Sequence, residues 1–139
     1  MSLLVVDASV GLKWFIPEVQ SAAARRLRAS GNELHVPSLF DLEFASILWK
    51  KIRRSELSRP EADVILAKLL SLPLTRHPDA GLIASAFDFA DRTGQTVYDC
   101  IYLALALQLA GRFVTADQRF FNNLRQTTLA DLVVWIGDW

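Results

Sequence analysis

Five short apolar runs separated by stretches of helical periodicity constrain this chain more than any other feature. The runs are Leu3 to Val6, Glu33 to Val36, Leu72 to Thr75, Phe113 to Thr115 and Leu132 to Trp135, and their lengths and β-branched content suit strands. Val19 to Ala29 carries Ala22, Ala23 and Leu27 at helical spacing, with Gly31 standing where a terminating glycine would. Ser38 and Asp41 have the spacing of a capping box, which predicts a helix running to about Arg54. Ser58 and Glu61 repeat the box, with Pro60 in the first turn of the next helix. Two further helices are expected, Asp79 to Thr93 ended by Gly94 and Val97 to Ala110 ended by Gly111. Strands alternating with helices imply right-handed crossovers and a parallel sheet covered on both faces, an α/β sandwich. Pro73 cannot donate to a sheet ladder, so the third strand is expected at an edge. No linker, low-complexity tract or internal repeat interrupts the pattern, and the expectation is one domain from Met1 to Trp139.

A chain of 139 residues that is 52% hydrophobic can bury a core without metal or disulfide staples. Its single cysteine, Cys100, lies in an apolar run and reads as a reduced, buried thiol of a cytoplasmic protein. The opening MSLLVVDASV has no basic leader and meets an acid after four apolar residues, which fits neither a signal peptide nor a membrane anchor. The apolar stretch Val97 to Ala110 is shorter than the roughly 20 residues needed to span a bilayer. Fifteen basic and fifteen acidic residues cancel, so the net charge carries no nucleic-acid signal. Their distribution does carry a signal: Lys50, Lys51, Arg53 and Arg54 crowd one segment, and Arg25, Arg26 and Arg28 another.

In open α/β sheets, ligand sites form beyond the carboxyl ends of the strands. Asp7 directly follows the first apolar run, and Asp117 follows the fourth after one alanine, so both are expected at the same sheet edge. Asp99 sits in the first turn of an otherwise apolar helix, where a lone buried carboxylate needs a partner. Glu43 lies among Leu42, Phe44 and Ala45 in the early turns of the second helix and is expected to face inward. Four carboxylates at one edge raise each other's pKa values unless a cation neutralises them. An all-oxygen set without a Cys or His cluster favours Mg²⁺ or Mn²⁺, since His35 and His77 read as isolated residues. Such ions activate water and stabilise charge on a phosphodiester, which points to hydrolysis of a nucleic-acid strand.

Each acid also has a plainer use. Thr96 and Asp99 have capping-box spacing, Asp7 and Asp117 are placed to cap helices, and Glu43 could serve a helix dipole. Joint placement favours the site. Asp41 competes with Glu43, but Ser38 accounts for it as a cap, and at about 100° per residue it faces about 160° away. By the same arithmetic Lys50 and Arg54 fall within about 20° of the Glu43 face, where they could meet a phosphate backbone or simply be solvated.

These residues resemble the PIN-domain family, and within it the VapC-type toxins of toxin–antitoxin pairs. The segments VVDASV, VPSLFDLEFASILWK, TVYDCIYLALA and FVTADQRF carry the likeness in order and spacing. The resemblance implies a PIN-like three-layer sandwich with a five-stranded parallel sheet in the order 3-2-1-4-5. It implies an endoribonuclease dependent on Mg²⁺ or Mn²⁺, with Asp7, Asp99 and Asp117 as the main ligands and Glu43 contacting metal directly or through water. It also implies a homodimer, an RNA substrate, and a small antitoxin laid across a groove near the site, where Trp14 and Phe15 would lie on the short helix after Asp7. Thr115 and Ser9 are expected to orient carboxylates or water. Asn122 stands near a position where some relatives carry a further acid, which leaves a second metal open.

Two other phosphate chemistries lack their residues. A haloacid-dehalogenase-type phosphatase needs an aspartate two positions after Asp7, where this chain has Ser9. A receiver domain needs an acid pair at the first strand and an aspartate after the third, and no Gly-rich phosphate loop is present. A non-catalytic module binding RNA or protein on the same fold remains the alternative.

Overall fold

The computed structural model describes residues 3–29 and 31–139; Met1, Ser2 and Ser30 lie outside the described residues. The strands are β1 (Leu3–Val6), β2 (Glu33–Pro37), β3 (Thr75–His77), β4 (Arg112–Thr115) and β5 (Val133–Trp135). All pair in parallel, in the order β3-β2-β1-β4-β5. The helices are α1 (Ala8–Leu12), α2 (Ser21–Ala29), α3 (Leu39–Arg53), α4 (Arg59–Leu70), α5 (Ile83–Thr93), α6 (Val97–Gln108) and α7 (Gln118–Leu124). The expected parallel α/β sandwich and strand order are therefore those found.

The central strand is the most apolar: Leu4, Val5 and Val6 of β1 are all fully buried. Helix α6 packs against β1, β2 and β4, and every residue from Cys100 to Ala106 is buried. Each fully buried Leu or Ile there contributes about 1.5–3 kcal/mol relative to exposure. That burial fixes the depth of α6, and with it the height of its first turn. Among the described residues, no helix is long and apolar enough to cross a membrane.

Several local expectations change. The third strand begins at Thr75, after Pro73, so its edge position owes nothing to the proline. Ser38 makes no side-chain cap; its hydroxyl donates to the His77 carbonyl at 2.9 Å, and Asp79 instead accepts from the Leu39 amide at 3.0 Å. Asp41 is held in a two-pronged pair by Arg76 Nε and Nη2 at 2.6 and 3.1 Å. Residues 79–82 form a 3₁₀ turn before α5 rather than its first turn. After α6 the left-handed residue is Ala110, at φ 54°, rather than Gly111. Gly111 is required for another reason, because a Cβ there would lie 2.6 Å from the Leu3 carbonyl oxygen. Trp14 and Phe15 follow α1 and pack into the domain's own core. Trp14 is 6% exposed and donates its indole N–H to the Ala24 carbonyl, while Phe15 meets Phe44 edge to face. Trp14 is thus not available as a docking side chain.

Candidate active site

The chain leaves β1 toward β2 and β3 on one side and returns to β4 and β5 on the other, so the switch point lies between β1 and β4. Cα pairing of Val6 with Val114 brings the next residues, Asp7 and Thr115, side by side beyond the carboxyl edge. This is where an open parallel sheet accommodates ligands. A cavity of about 190 Å³ opens there, lined by Asp7, Ser9, Glu43, Lys50, Asp99, Tyr102, Thr115 and Asp117 among others. All four acids expected from the sequence converge on it.

Each acid arrives on a different element. Asp7 caps α1, accepting from the Val10 amide at 2.9 Å through Oδ1, and its Oδ2 accepts from the Thr115 hydroxyl at 3.0 Å. Asp117 caps α7 through Oδ1, accepting from the Phe120 amide at 3.0 Å. The capping and functional uses of these two aspartates coexist, because one oxygen orients the carboxylate and the rest of the group faces the cavity. Asp99 enters from the first turn of α6, whose amide donates to Thr96 Oγ1 at 3.1 Å. Glu43 enters from α3 and accepts from the Tyr102 hydroxyl.

Tyr102 was not among the expected site residues. It sits inside the apolar run of α6, is 2% exposed, and stacks on Phe113 at 5.2 Å between centroids. A tyrosine three residues after Asp99 shares its helix face, which is the only sequence signal it gives. Thr115 takes the expected orienting position, donating to Asp7 and accepting from the Asp117 amide at 3.0 Å. Ser9 lines the cavity but makes no hydrogen bond to Asp7 among the described residues. Lys50 lines the same cavity, whereas Arg54 lies in the adjoining cleft. Asn122 is elsewhere, beside Arg125 and Gln126.

The electrostatics are those of crowded carboxylates. Burial pushes Asp7 up to about 7 from its ordinary 3.8, against the lowering effect of its Val10 and Thr115 hydrogen bonds, with Glu43 and Asp99 adding repulsion. Burial also raises Glu43, against the Tyr102 hydrogen bond and with help from Asp99 and Asp79. Asp99 is raised by burial and by Asp117, with Thr96 opposing. Among the described residues none of the four has an ion-pair partner. The donor set is all oxygen and anionic, which fits a hard divalent cation. Among the described residues, no three His, Cys, Asp or Glu side chains gather tightly enough to clasp an ion directly as they stand. That spacing suits a cation reached partly through water, as Mg²⁺ commonly is.

The histidines are not isolated as expected. His35 Nδ1 and His77 Nε2 lie 2.8 Å apart, sharing one hydrogen between β2 and β3. They stand away from the acid cavity and are not among its lining residues.

An open parallel α/β domain with four carboxylates at its β1/β4 switch point is the class that fold and site define. The chain belongs to the PIN-domain family, whose model matches residues 4–125. It is 38% identical over 118 residues to Ribonuclease VapC3 of Pyrobaculum aerophilum, covering 84% of this chain and 90% of that protein. It is 34% identical over 132 residues to Ribonuclease VapC12 of Mycobacterium tuberculosis, covering 94% and 99% of the two. A solved Pyrobaculum aerophilum structure has the same fold, with a TM-score of 0.72 at 21% identity over 99% of this chain and 85% of that one. A toxin–antitoxin complex from Klebsiella pneumoniae also shares it, at a TM-score of 0.59 and 12% identity over 94% and 95% of the chains.

Proposed function

We propose that this chain is a divalent-metal-dependent endoribonuclease, the toxin of a toxin–antitoxin pair, acting on RNA in the cytoplasm. The observation that carries the reading is the convergence of Asp7, Glu43, Asp99 and Asp117 on one cavity without an internal counter-cation. Crowding that lifts a buried carboxyl to about 7 is costly to folding, and a site retained at that cost is a candidate for function. Similarity to ribonucleases of the VapC type over most of the chain supports the substrate class.

In this reading Asp7, Asp99 and Asp117 hold Mg²⁺ or Mn²⁺, with Glu43 reaching it directly or through water. When bound, the cation supplies Lewis acidity for activating water and for neutralising charge at the phosphodiester. Thr115 sets the rotamer of Asp7 and fixes the Asp117 backbone beside it. Tyr102 holds Glu43 in place and favours its charged form. Ser9 lines the approach to the acids. Lys50, on the cavity wall, and Arg54, in the next cleft, attract the phosphate backbone without reading bases.

A homodimer and an antitoxin partner follow from the same likeness. The exposed apolar side chains Ile83 and Phe87, 53% and 68% accessible and one turn apart on α5, support an interface there.

Cleavage of a labelled, structured RNA in Mg²⁺ or Mn²⁺ tests the reading against Asp7→Asn and Asp99→Asn. Cleavage by the wild type and its loss in both variants is expected. Equal cleavage by the variants sinks the carboxylate mechanism, and no cleavage by any form favours a non-catalytic RNA- or protein-binding module.

A further inference from the structure

Next to the acid cavity lies a second cleft of about 440 Å³, and Ser9, Ile47 and Lys50 line both. Its charged residues are Lys13, Glu18, Lys50, Lys51 and Arg54, four cations to one carboxylate. They come from separate parts of the chain: Lys13 follows α1, Glu18 precedes α2, and the others belong to α3 and its end. The single carboxylate is shared. Lys13 Nζ lies 3.4 Å from Glu18 Oε1, and Lys51 Nζ lies 3.6 Å from Glu18 Oε2. Both lysine side chains are largely covered, at 13% and 18% exposure, so their ammonium groups are held in place rather than free in solvent.

Two features mark Glu18 as replaceable. The contacts are long for charge-assisted hydrogen bonds, which usually fall at about 2.7–2.9 Å. Lys50 and Arg54 have no ion pair among the described residues, so the cleft keeps a strong positive excess even with Glu18 in place. The loop position of Glu18 is nevertheless fixed, because its amide donates to Ser21 Oγ at 2.8 Å and its carbonyl accepts from the Ser21 amide at 3.1 Å. A rigid loop thus presents one carboxylate between two lysines, in a cleft continuous with the acids.

We propose that this cleft is a phosphate subsite for the RNA strand beyond the cleaved bond, in which a backbone phosphate displaces the Glu18 carboxylate from Lys13 and Lys51. The proposal rests on the ribonuclease reading of the neighbouring acids and adds a direction for the strand, from the acid cavity past Lys50 toward Arg54. Glu18 acts as an internal competitor that weakens binding to RNA and discourages non-productive anions.

The test is fluorescence anisotropy of a labelled 12-nucleotide single-stranded RNA in EDTA, over a salt series, with melting curves for every form. Lys13→Gln/Lys51→Gln is expected to weaken binding roughly tenfold and to flatten the log Kd against log salt slope by about 1.4, at about 0.7 per phosphate contact. Glu18→Gln is expected to tighten binding several-fold. Lys51→Arg, which keeps the charge, is expected to bind like the wild type and guards against a folding artefact. An unchanged affinity and slope in the double variant overturns the subsite, as does weaker binding by a Glu18→Gln form of unchanged Tm. A 12-residue polyglutamate that competes with RNA, and whose binding depends on the two lysines as strongly, also overturns it by assigning the cleft to an acidic peptide. Cleavage assays run beside these separate the two readings. Normal cleavage with unaltered KM in the double variant sinks the subsite alone, whereas a wild type that neither binds nor cleaves RNA sinks the ribonuclease reading and the subsite with it.

Discussion

The Thr115 hydroxyl donates to Asp7 Oδ2 at 3.0 Å while its oxygen accepts from the Asp117 amide at 3.0 Å, so one side chain ties β1 to the strand end that carries Asp117. Thr115 is 1% exposed and cannot exchange these partners for water. Thr115→Val keeps the shape and removes both bonds. It is expected to lower kcat about tenfold to a hundredfold through misplacement of Asp7 and stability by about 1 kcal/mol. Thr115→Ser should restore most of both. Rates and urea melts of the three forms check this.

Tyr102 donates to Glu43 and thereby holds the Glu43 carboxyl below where burial alone would put it. Tyr102→Phe removes that restraint and raises the Glu43 pKa further. The acidic limb of the kcat–pH profile should move to higher pH, with about 1 kcal/mol of stability lost at this part-buried site. An unmoved limb would remove Glu43 from the catalytic set.

Asp7 binds its proton more tightly folded than unfolded, with a native pKa of about 7 against 3.8. Its contribution to stability is therefore fully present below 3.8 and is lost as pH rises through about 7. Three units correspond to at most about 4 kcal/mol. Solvent reaching the cavity and the acceptor lost in Asn reduce the net gain from Asp7→Asn to about 1–2 kcal/mol in EDTA at pH 7.5. The same substitution should abolish the rise in Tm that Mn²⁺ gives the wild type, and that rise should shrink at pH 5.5, where the proton competes. Calorimetric melts at both pH values, with and without Mn²⁺, measure each part.

His77 tilts the pH curve the other way. Burial and the facing His35 hold its pKa below 6.5, so the native state binds this proton less readily than the unfolded chain. Its share of stability is present above 6.5 and is lost as pH falls through 6.5 into the lowered native value. Doubly protonated rings cannot keep the 2.8 Å contact that joins β2 to β3. His77→Gln should flatten the loss of Tm below pH 6.5, and an NMR titration of the imidazoles should place His77 below 6.5.

What could be read from the sequence was what local pattern encodes. Asp7 and Asp117 stood out because a strand end puts the next residue at the sheet edge, and Asp99 because an apolar helix isolates it. Glu43, Lys50 and Arg54 followed from helix phase. The parallel sandwich came from alternation, but the order of its strands came from the likeness to a family. Relationships formed only by folding were not legible. Asp41 and Arg76 are 35 residues apart, so the nearer Ser38 offered a false cap; His35 and His77 are 42 apart and looked unrelated. Tyr102 was hidden because its ring belongs to the core and only its hydroxyl reaches the site. Gly111 looked like a helix terminator, whereas the close approach of Leu3 is what requires it.

The most direct test is the cleavage rate of a labelled structured RNA by EDTA-stripped chain as Mn²⁺ or Mg²⁺ is added back, for the wild type and Asp99→Asn. The account expects no cleavage without the cation, saturable recovery in the wild type, and a rate lower by about 100-fold or more in the variant. Cleavage that persists in EDTA, or equal rates for the two forms, would contradict it.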